Sequence, residues 1–203
     1  MKGTSPSLQI FKPTMAATLA IAIMCGLSVR PAQAGYIVTL QQVGSDVVAT
    51  GSGPIDLTGL SFKINFSFAA SIEPNNALIL TGSSGFSGTD EYSGSFSGPL
   101  VFGTGGGTLA SSASGDFVGF HDHGFLDVPT GYISGTALSD SATYNNATFS
   151  SLGVNIGTYE WTWGNGQNQN FTLVAVPEGS TLGLLAVGAL ALGLVWMRRK
   201  VKA

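Results

Sequence analysis

From Leu60 to Phe68 the chain alternates strictly. Leu60, Phe62, Ile64, Phe66 and Phe68 are apolar, and Ser61, Lys63, Asn65 and Ser67 between them are polar. A period of two belongs to a strand with one buried and one wet face. The pattern therefore predicts Phe62, Ile64, Phe66 and Phe68 together under a sheet, with Lys63 in solvent. Tyr36 to Val43 and Val47 to Thr50 flank Gly44-Ser45-Asp46 and predict a hairpin. Leu78 to Leu80, Leu100 to Phe102, Phe117 to Phe120, Tyr132 to Ile133, Thr158 to Trp163 and Asn170 to Val176 read as further short strands separated by turn residues. No stretch between Gly35 and Val176 shows the period of an amphipathic helix. The fold class this predicts is all-β, a sandwich or related Greek-key domain.

Gly82 to Gly115 is dense in Gly and Ser, and Ser84-Gly85-Phe86-Ser87-Gly88 is echoed by Gly94-Ser95-Phe96-Ser97-Gly98. A pair of strands with flexible loops, Gly105-Gly106-Gly107 forming one loop tip, accounts for it. Gly103-Thr104-Gly105-Gly106-Gly107 has no Lys after it and no helix to receive it, so it is not a phosphate loop.

Two longer apolar runs sit at the ends. Lys2 and Lys12 precede the run Met15 to Val29, and Ala32-Gln33-Ala34 offers the small-x-small pattern cut by signal peptidase. The sequence thus reads as a signal peptide at residues 1–34, with a mature chain starting at Gly35. At the other end stand Val176, Pro177, Glu178, Gly179, Ser180 and Thr181, an apolar run to Met197, and the cations Arg198, Arg199, Lys200 and Lys202. As a helix, residues 181–197 rise roughly 25 Å, at the short end of what crosses a bilayer. The cations would hold the far end in the cytoplasm.

This C-terminal order resembles the PEP-CTERM sorting signal of Gram-negative bacteria. The match is carried by Val176, Pro177, Glu178, Ser180, Thr181, the apolar run and the basic tail; Gly179 stands where the commonest form has a second Pro. The resemblance implies processing by exosortase, a membrane-embedded cysteine protease, transient anchoring in the inner membrane, and then release to the cell surface or an exopolysaccharide matrix. The segment Gly157-Thr158-Tyr159-Glu160-Trp161-Thr162-Trp163-Gly164, followed by Phe171-Thr172-Leu173, also looks like a group of PEP-CTERM proteins whose exported domains have no assigned activity. Residues 35–176 form that domain and residues 177–203 the sorting signal.

Composition sharpens the picture. Between Gly35 and Val176 the only cation of the Lys/Arg type is Lys63, set against Asp46, Asp56, Glu73, Asp90, Glu91, Asp116, Asp122, Asp127, Asp140 and Glu160. The whole-chain charge of −3 hides this, because the other cations lie in the two terminal signals. Such a domain does not seek nucleic acid. The single Cys, Cys25, goes with the signal peptide, which leaves no disulfide and no thiol enzyme in the mature chain.

Candidate chemistry is sparse. In His121-Asp122-His123 the two imidazoles would share a face if the triplet were a strand, with Asp116 or Asp127 as a third metal ligand. Beside Gly124 the sequence favours a polar turn, so no metal and no cofactor are expected. No Gly-x-Ser-x-Gly elbow has a strand before it and a helix after it. On a strand, Tyr159, Trp161 and Trp163 lie on one face. Exposed, that row would be a sugar-stacking platform; buried, it anchors a core, and the core reading is favoured. The sequence therefore reads as a non-enzymatic exported surface or matrix protein. A carbohydrate-binding or adhesive module on Tyr159, Trp161 and Trp163 is the alternative, and a metal or carboxylate enzyme around His121 to Asp127 comes third.

Overall fold

A computed structural model describes residues 35–83 and 88–177. The expected signal peptide, the motif from Glu178 to Thr181, the C-terminal helix, the basic residues Arg198, Arg199, Lys200 and Lys202, and Ser84 to Ser87 lie outside the described residues. Among the described residues no helix is long and apolar enough to cross a membrane.

The first hairpin forms where the sequence puts it. Strands β1 (Tyr36–Val43) and β2 (Asp46–Pro54) are antiparallel, and Val43 pairs with Asp46 across a two-residue loop. The remaining strands are β3 (Ser61–Phe66), β4 (Ser71–Glu73), β5 (Leu78–Thr81), β6 (Thr89–Ser93), β7 (Thr108–Leu109), β8 (Ser112–Gly115), β9 (Val118–His121), β10 (Phe125–Pro129), β11 (Ala137–Tyr144), β12 (Gly157–Thr162) and β13 (Asn170–Val176). One short helix, α1 (Phe149–Leu152), is capped by the Thr148 hydroxyl, which accepts from Ser151 N–H.

These strands make two sheets. One has the order β12-β13-β1-β2-β11-β8 and the other β3-β6-β10-β9-β5-β4-β7. Among the described strands, β1 with β13 is the one parallel pair, from Tyr36 opposite Phe171 to Gln41 opposite Val176. First and last strands thus lie side by side in the interior of one sheet, and the chain closes on itself.

The sheets share one core. Along β1 the buried positions are Tyr36, Val38 and Leu40; along β13 they include Phe171, Leu173 and Ala175; the second sheet contributes Ile72, Ile79, Val118, Phe120, Leu126 and Val128. Trp161 of β12 is the largest fully buried side chain among the described residues and stacks on Phe120 of the opposite sheet at 4.7 Å, with Phe171 at 6.1 Å from both rings. Its indole N–H donates to Pro99 O at 2.8 Å, so the buried ring leaves no donor unpaired. This two-sheet arrangement around a common core agrees with an all-β sandwich.

The alternating strand, however, does not bury its apolar face. Phe62 is 56% and Ile64 53% exposed. Strand β3 lies at the edge of the second sheet, and its register shifts between Phe62, opposite Tyr92, and Ile64, opposite Glu91. Lys63 is the extra residue of a β-bulge. One inserted residue reverses every following side chain, so Phe62 shares the inner face of Tyr92 and Leu126 while Ile64 shares the outer face of Glu91 and Asp127. Phe66 and Phe68 are half-buried and pack on each other at 4.1 Å. A bulge with a lysine on an edge strand is a device that blocks pairing with another chain.

Two further expected strands are loops. In Leu100 to Phe102 only Phe102 is buried, its ring 5.8 Å from Tyr159 and 6.4 Å from Trp161. Tyr132 lies in a turn between β10 and β11, where its hydroxyl accepts from Ile55 N–H at 3.0 Å and donates to Thr136 O at 2.6 Å. Ile133 beside it is exposed.

Trp161→Ala should destabilise the domain by about 3–5 kcal/mol through lost burial and a cavity between the sheets. Phe62→Ala, at the exposed edge, should cost under about 1 kcal/mol. Denaturant unfolding of both variants checks this ordering, and equal costs would refute it.

Candidate functional site

The polar residues of interest are buried carboxylates, one set in each sheet. In the first sheet, Asp140 occupies an inward position of β11, whose buried side is Leu138, Asp140, Ala142 and Tyr144. The Tyr36 hydroxyl donates to Asp140 Oδ2. Gly51 makes room for this pair, because a Cβ there would come within 2.1 Å of the Tyr36 hydroxyl and 2.4 Å of Asp140 Oδ1. Burial pushes the Asp140 carboxyl up from 3.8 to about 6, against the lowering effect of the tyrosine hydrogen bond. The same burial, with Asp140 alongside, pushes the Tyr36 phenol far above its ordinary value.

The second set lies on the outer face of the other sheet. Asp127 of β10 pairs across the ladder with Glu91 of β6 on one side and with Gly119 of β9 on the other. His121, two residues beyond Gly119, points to the same face. Glu91, His121 and Asp127 thereby meet, with ligand-type atoms all within 4.8 Å of one another. His121 Nε2 stands 3.2 Å from Asp127 Oδ2 and 3.4 Å from Glu91 Oε2. Asp127 is fully buried, and neither of its carboxylate oxygens has a hydrogen-bond partner. His121 Nε2 has none either, so its 3.2 Å approach to Asp127 is at ion-pair distance but off hydrogen-bond geometry.

Apolar groups enclose the cluster. The His121 ring stacks on Phe125 at 5.3 Å and meets the edge of Phe68 at 5.3 Å. Leu80 lies over Gly119, where a Cβ would come within 2.1 Å of its Cδ2. Behind the histidine a second row of contacts fixes its ring. Nδ1 is 3.2 Å from Asp122 Oδ2, and Asp122 Oδ1 accepts from the Asn76 side-chain amide at 2.6 Å. Burial alone would push the imidazole down, but the Asp127 and Asp122 carboxylates outweigh it and its pKa is raised. Burial raises Asp127 against the effect of His121, and burial together with Asp127 raises Glu91.

The triplet His121-Asp122-His123 is split by this geometry. Asp122 at φ 48° and His123 at φ 60° form a tight turn between β9 and β10, closed by Gly124 N–H donating to His121 O at 3.2 Å. His123 leaves the cluster, and its Nε2 lies 2.6 Å from Leu100 O. Of the two acids considered as third ligand, Asp127 is in the cluster. Asp116 is not: it accepts from Ser139 N–H at 2.8 Å beside β11. Glu91 was not legible, because only the β6–β10 pairing brings it across from a distant part of the sequence.

The aromatic row belongs to the core. Trp161 is 1% exposed, Trp163 is buried with its indole N–H donating to Asp56 O at 2.8 Å, and Tyr159 is half-buried with its hydroxyl donating to Asn155 O at 3.1 Å. A sugar platform needs open ring faces, and Phe120 covers that of Trp161. At the domain's ends, Gly35 N–H donates to Asn168 Oδ1 at 2.9 Å, Val176 closes β13, and Pro177 is exposed just beyond it.

No protein-family model matches the chain, and neither a curated protein nor a solved structure is found to be similar to it.

Asp140 makes stability depend on pH with a definite sign. Its folded pKa lies above the unfolded value of 3.8, so the folded chain holds a proton that the unfolded chain releases. The stabilisation is fully present below 3.8 and is lost as pH rises through about 6. Relative to Asp140→Asn, which cannot titrate, the wild type should lose on the order of 3 kcal/mol between those limits. Denaturant unfolding at a series of pH values measures the difference, and parallel curves for the two proteins would contradict it.

Proposed function

We propose that the chain is a non-enzymatic exported β-domain, anchored transiently in the inner membrane and then sorted to the cell surface or its polysaccharide matrix by an exosortase-type protease. The observation that carries this reading is the terminal sequence Val176-Pro177-Glu178-Gly179-Ser180-Thr181 followed by an apolar run and a basic tail. A permanent anchor needs only the apolar run and the cations. Pro177 favours an extended backbone at the residue before it, and Glu178 supplies a charge that cannot slide into the bilayer.

The way the domain ends supports the reading. Strand β13 lies between β12 and β1 in the interior of a sheet and finishes at Val176. Cleavage at or beyond Pro177 therefore leaves every described strand and core residue in place. At the start, β1 begins at Tyr36, one residue past the expected mature start at Gly35, so cleavage after Ala34 also leaves the described strands whole. Its ten acids and one lysine keep the domain from anionic surfaces during transit. Its partners on this reading are signal peptidase, the sorting protease, and exopolysaccharide at the destination.

Glu178→Ala should leave membrane insertion intact and cause unprocessed protein to accumulate in the inner membrane. Fractionation and immunoblotting of the native host read this out. Processing of the variant at the wild-type rate would overturn the role given to Glu178, and a wild-type chain that keeps its C-terminal run unprocessed would leave a plain anchor.

A further inference from the structure

We infer that Glu91, His121 and Asp127 form a structural binding site for a divalent first-row transition cation, of which zinc is the natural probe. The argument begins with the protons available. Asp122 lies 3.2 Å from His121 Nδ1 as its hydrogen-bond partner. With Nδ1–H donating to that carboxylate, Nε2 carries the lone pair and faces Asp127 Oδ2 at 3.2 Å and Glu91 Oε2 at 3.4 Å. Three acceptors then converge on one point, and a proton or a cation must sit among them.

Two species can fill that point. A proton, whether on Nε2 or on a carboxyl oxygen, should aim its donor along one line to one acceptor. The geometry lacks such a line: Nε2 and both Asp127 oxygens are buried without hydrogen-bond partners. A cation at the centre needs no such line. Ligand atoms about 2.1 Å from a tetrahedrally held metal stand about 3.4 Å apart; the two separations from His121 Nε2, 3.2 and 3.4 Å, match that edge, and all three ligand atoms lie within 4.8 Å of one another. Lysine cannot serve, because Lys63 is the domain's single Lys or Arg and sits exposed on the edge strand.

The surroundings fit as well. Metal-bound histidines usually give their other ring nitrogen to a carboxylate, which fixes tautomer and orientation. Asp122 does this here, and Asn76 holds Asp122 in turn at 2.6 Å. One imidazole and two carboxylates suit zinc or manganese better than the soft cations that prefer thiolates. Each of the three ligands comes from a different strand, β6, β9 or β10, so a bound ion would tie the ladder together on its outer face. Among the described residues, Phe68, Phe125 and Leu80 lie against that face, away from the inter-sheet core. Asp122 and Asn76 are positioning residues in this scheme, not ligands.

The untagged full-length chain, stripped with chelator and titrated with zinc chloride, should bind one equivalent, and its melting temperature should rise with zinc concentration. Glu91→Gln, His121→Gln and Asp127→Asn should each weaken binding about tenfold or more, and Asp122→Asn by a smaller factor. His123→Gln should leave the titration unchanged. If Asp127→Asn fails to fold by circular dichroism, Glu91→Gln and His121→Gln carry the comparison. A wild-type chain that takes up neither zinc nor manganese overturns the site and leaves a buried ion pair. Binding that survives the ligand variants but disappears in His123→Gln overturns it equally, and moves the metal to the turn.

Discussion

A single lysine among ten acids is the constraint on which the rest of this domain depends. An ordinary domain can pair a buried carboxylate with Arg or Lys; this one cannot. Each acid must therefore stay in solvent or be buried with something other than a basic side chain. Asp90 and Asp116 take the first course and accept backbone N–H groups at the surface, from Gly131 and Ser139. Asp140 takes the second, held by a tyrosine hydroxyl and raised by burial to where a proton is easily kept. Asp127 has neither a tyrosine nor a lysine, only His121 and a second carboxylate, and it is the most deeply enclosed acid of the domain. The same scarcity explains why ion pairs contribute little to holding the sheets together. That task falls to aromatic packing, with Trp161 against Phe120 at its centre, and to sheet pairing that sets the first described strand beside the last.

Legibility in the sequence followed how local the signal was. The β1–β2 hairpin and strands β12 and β13 could be read because alternation, turn residues and large apolar side chains coincide there. Strand β11 could not, since Ala137-Leu138-Ser139-Asp140-Ser141-Ala142-Thr143-Tyr144 puts an acid and a small residue at inward positions. The most regular alternation misled, because period two fixes a face only while the register holds. Lys63 in a bulge breaks it, and nothing in the spelling from Leu60 to Phe68 marks that residue as the extra one.

The polar cluster divides the same way. His121 and Asp127 were visible as residue types, but their relation depends on register: His121 lies diagonal to Asp127 across the β9–β10 ladder. Glu91 arrives through a pairing between segments far apart in sequence. His123 looked like a partner because two residues apart on a strand means one face; two consecutive positive φ angles turn it away. The proposed sorting signal, by contrast, rests on linear order alone, and for that reason the sequence carries the functional proposal while the fold carries the chemistry.

If scarcity of basic side chains governs how this domain buries its acids, the buried Asp140 carboxyl must titrate well above an ordinary one. Carbon-13 NMR of the side-chain carboxyl of Asp140, followed across pH in labelled protein, tests that most directly. The account predicts a midpoint near 6 for Asp140. A midpoint near the ordinary value of 3.8 would contradict it, since the charged carboxylate would then be at ease in the core without a basic partner.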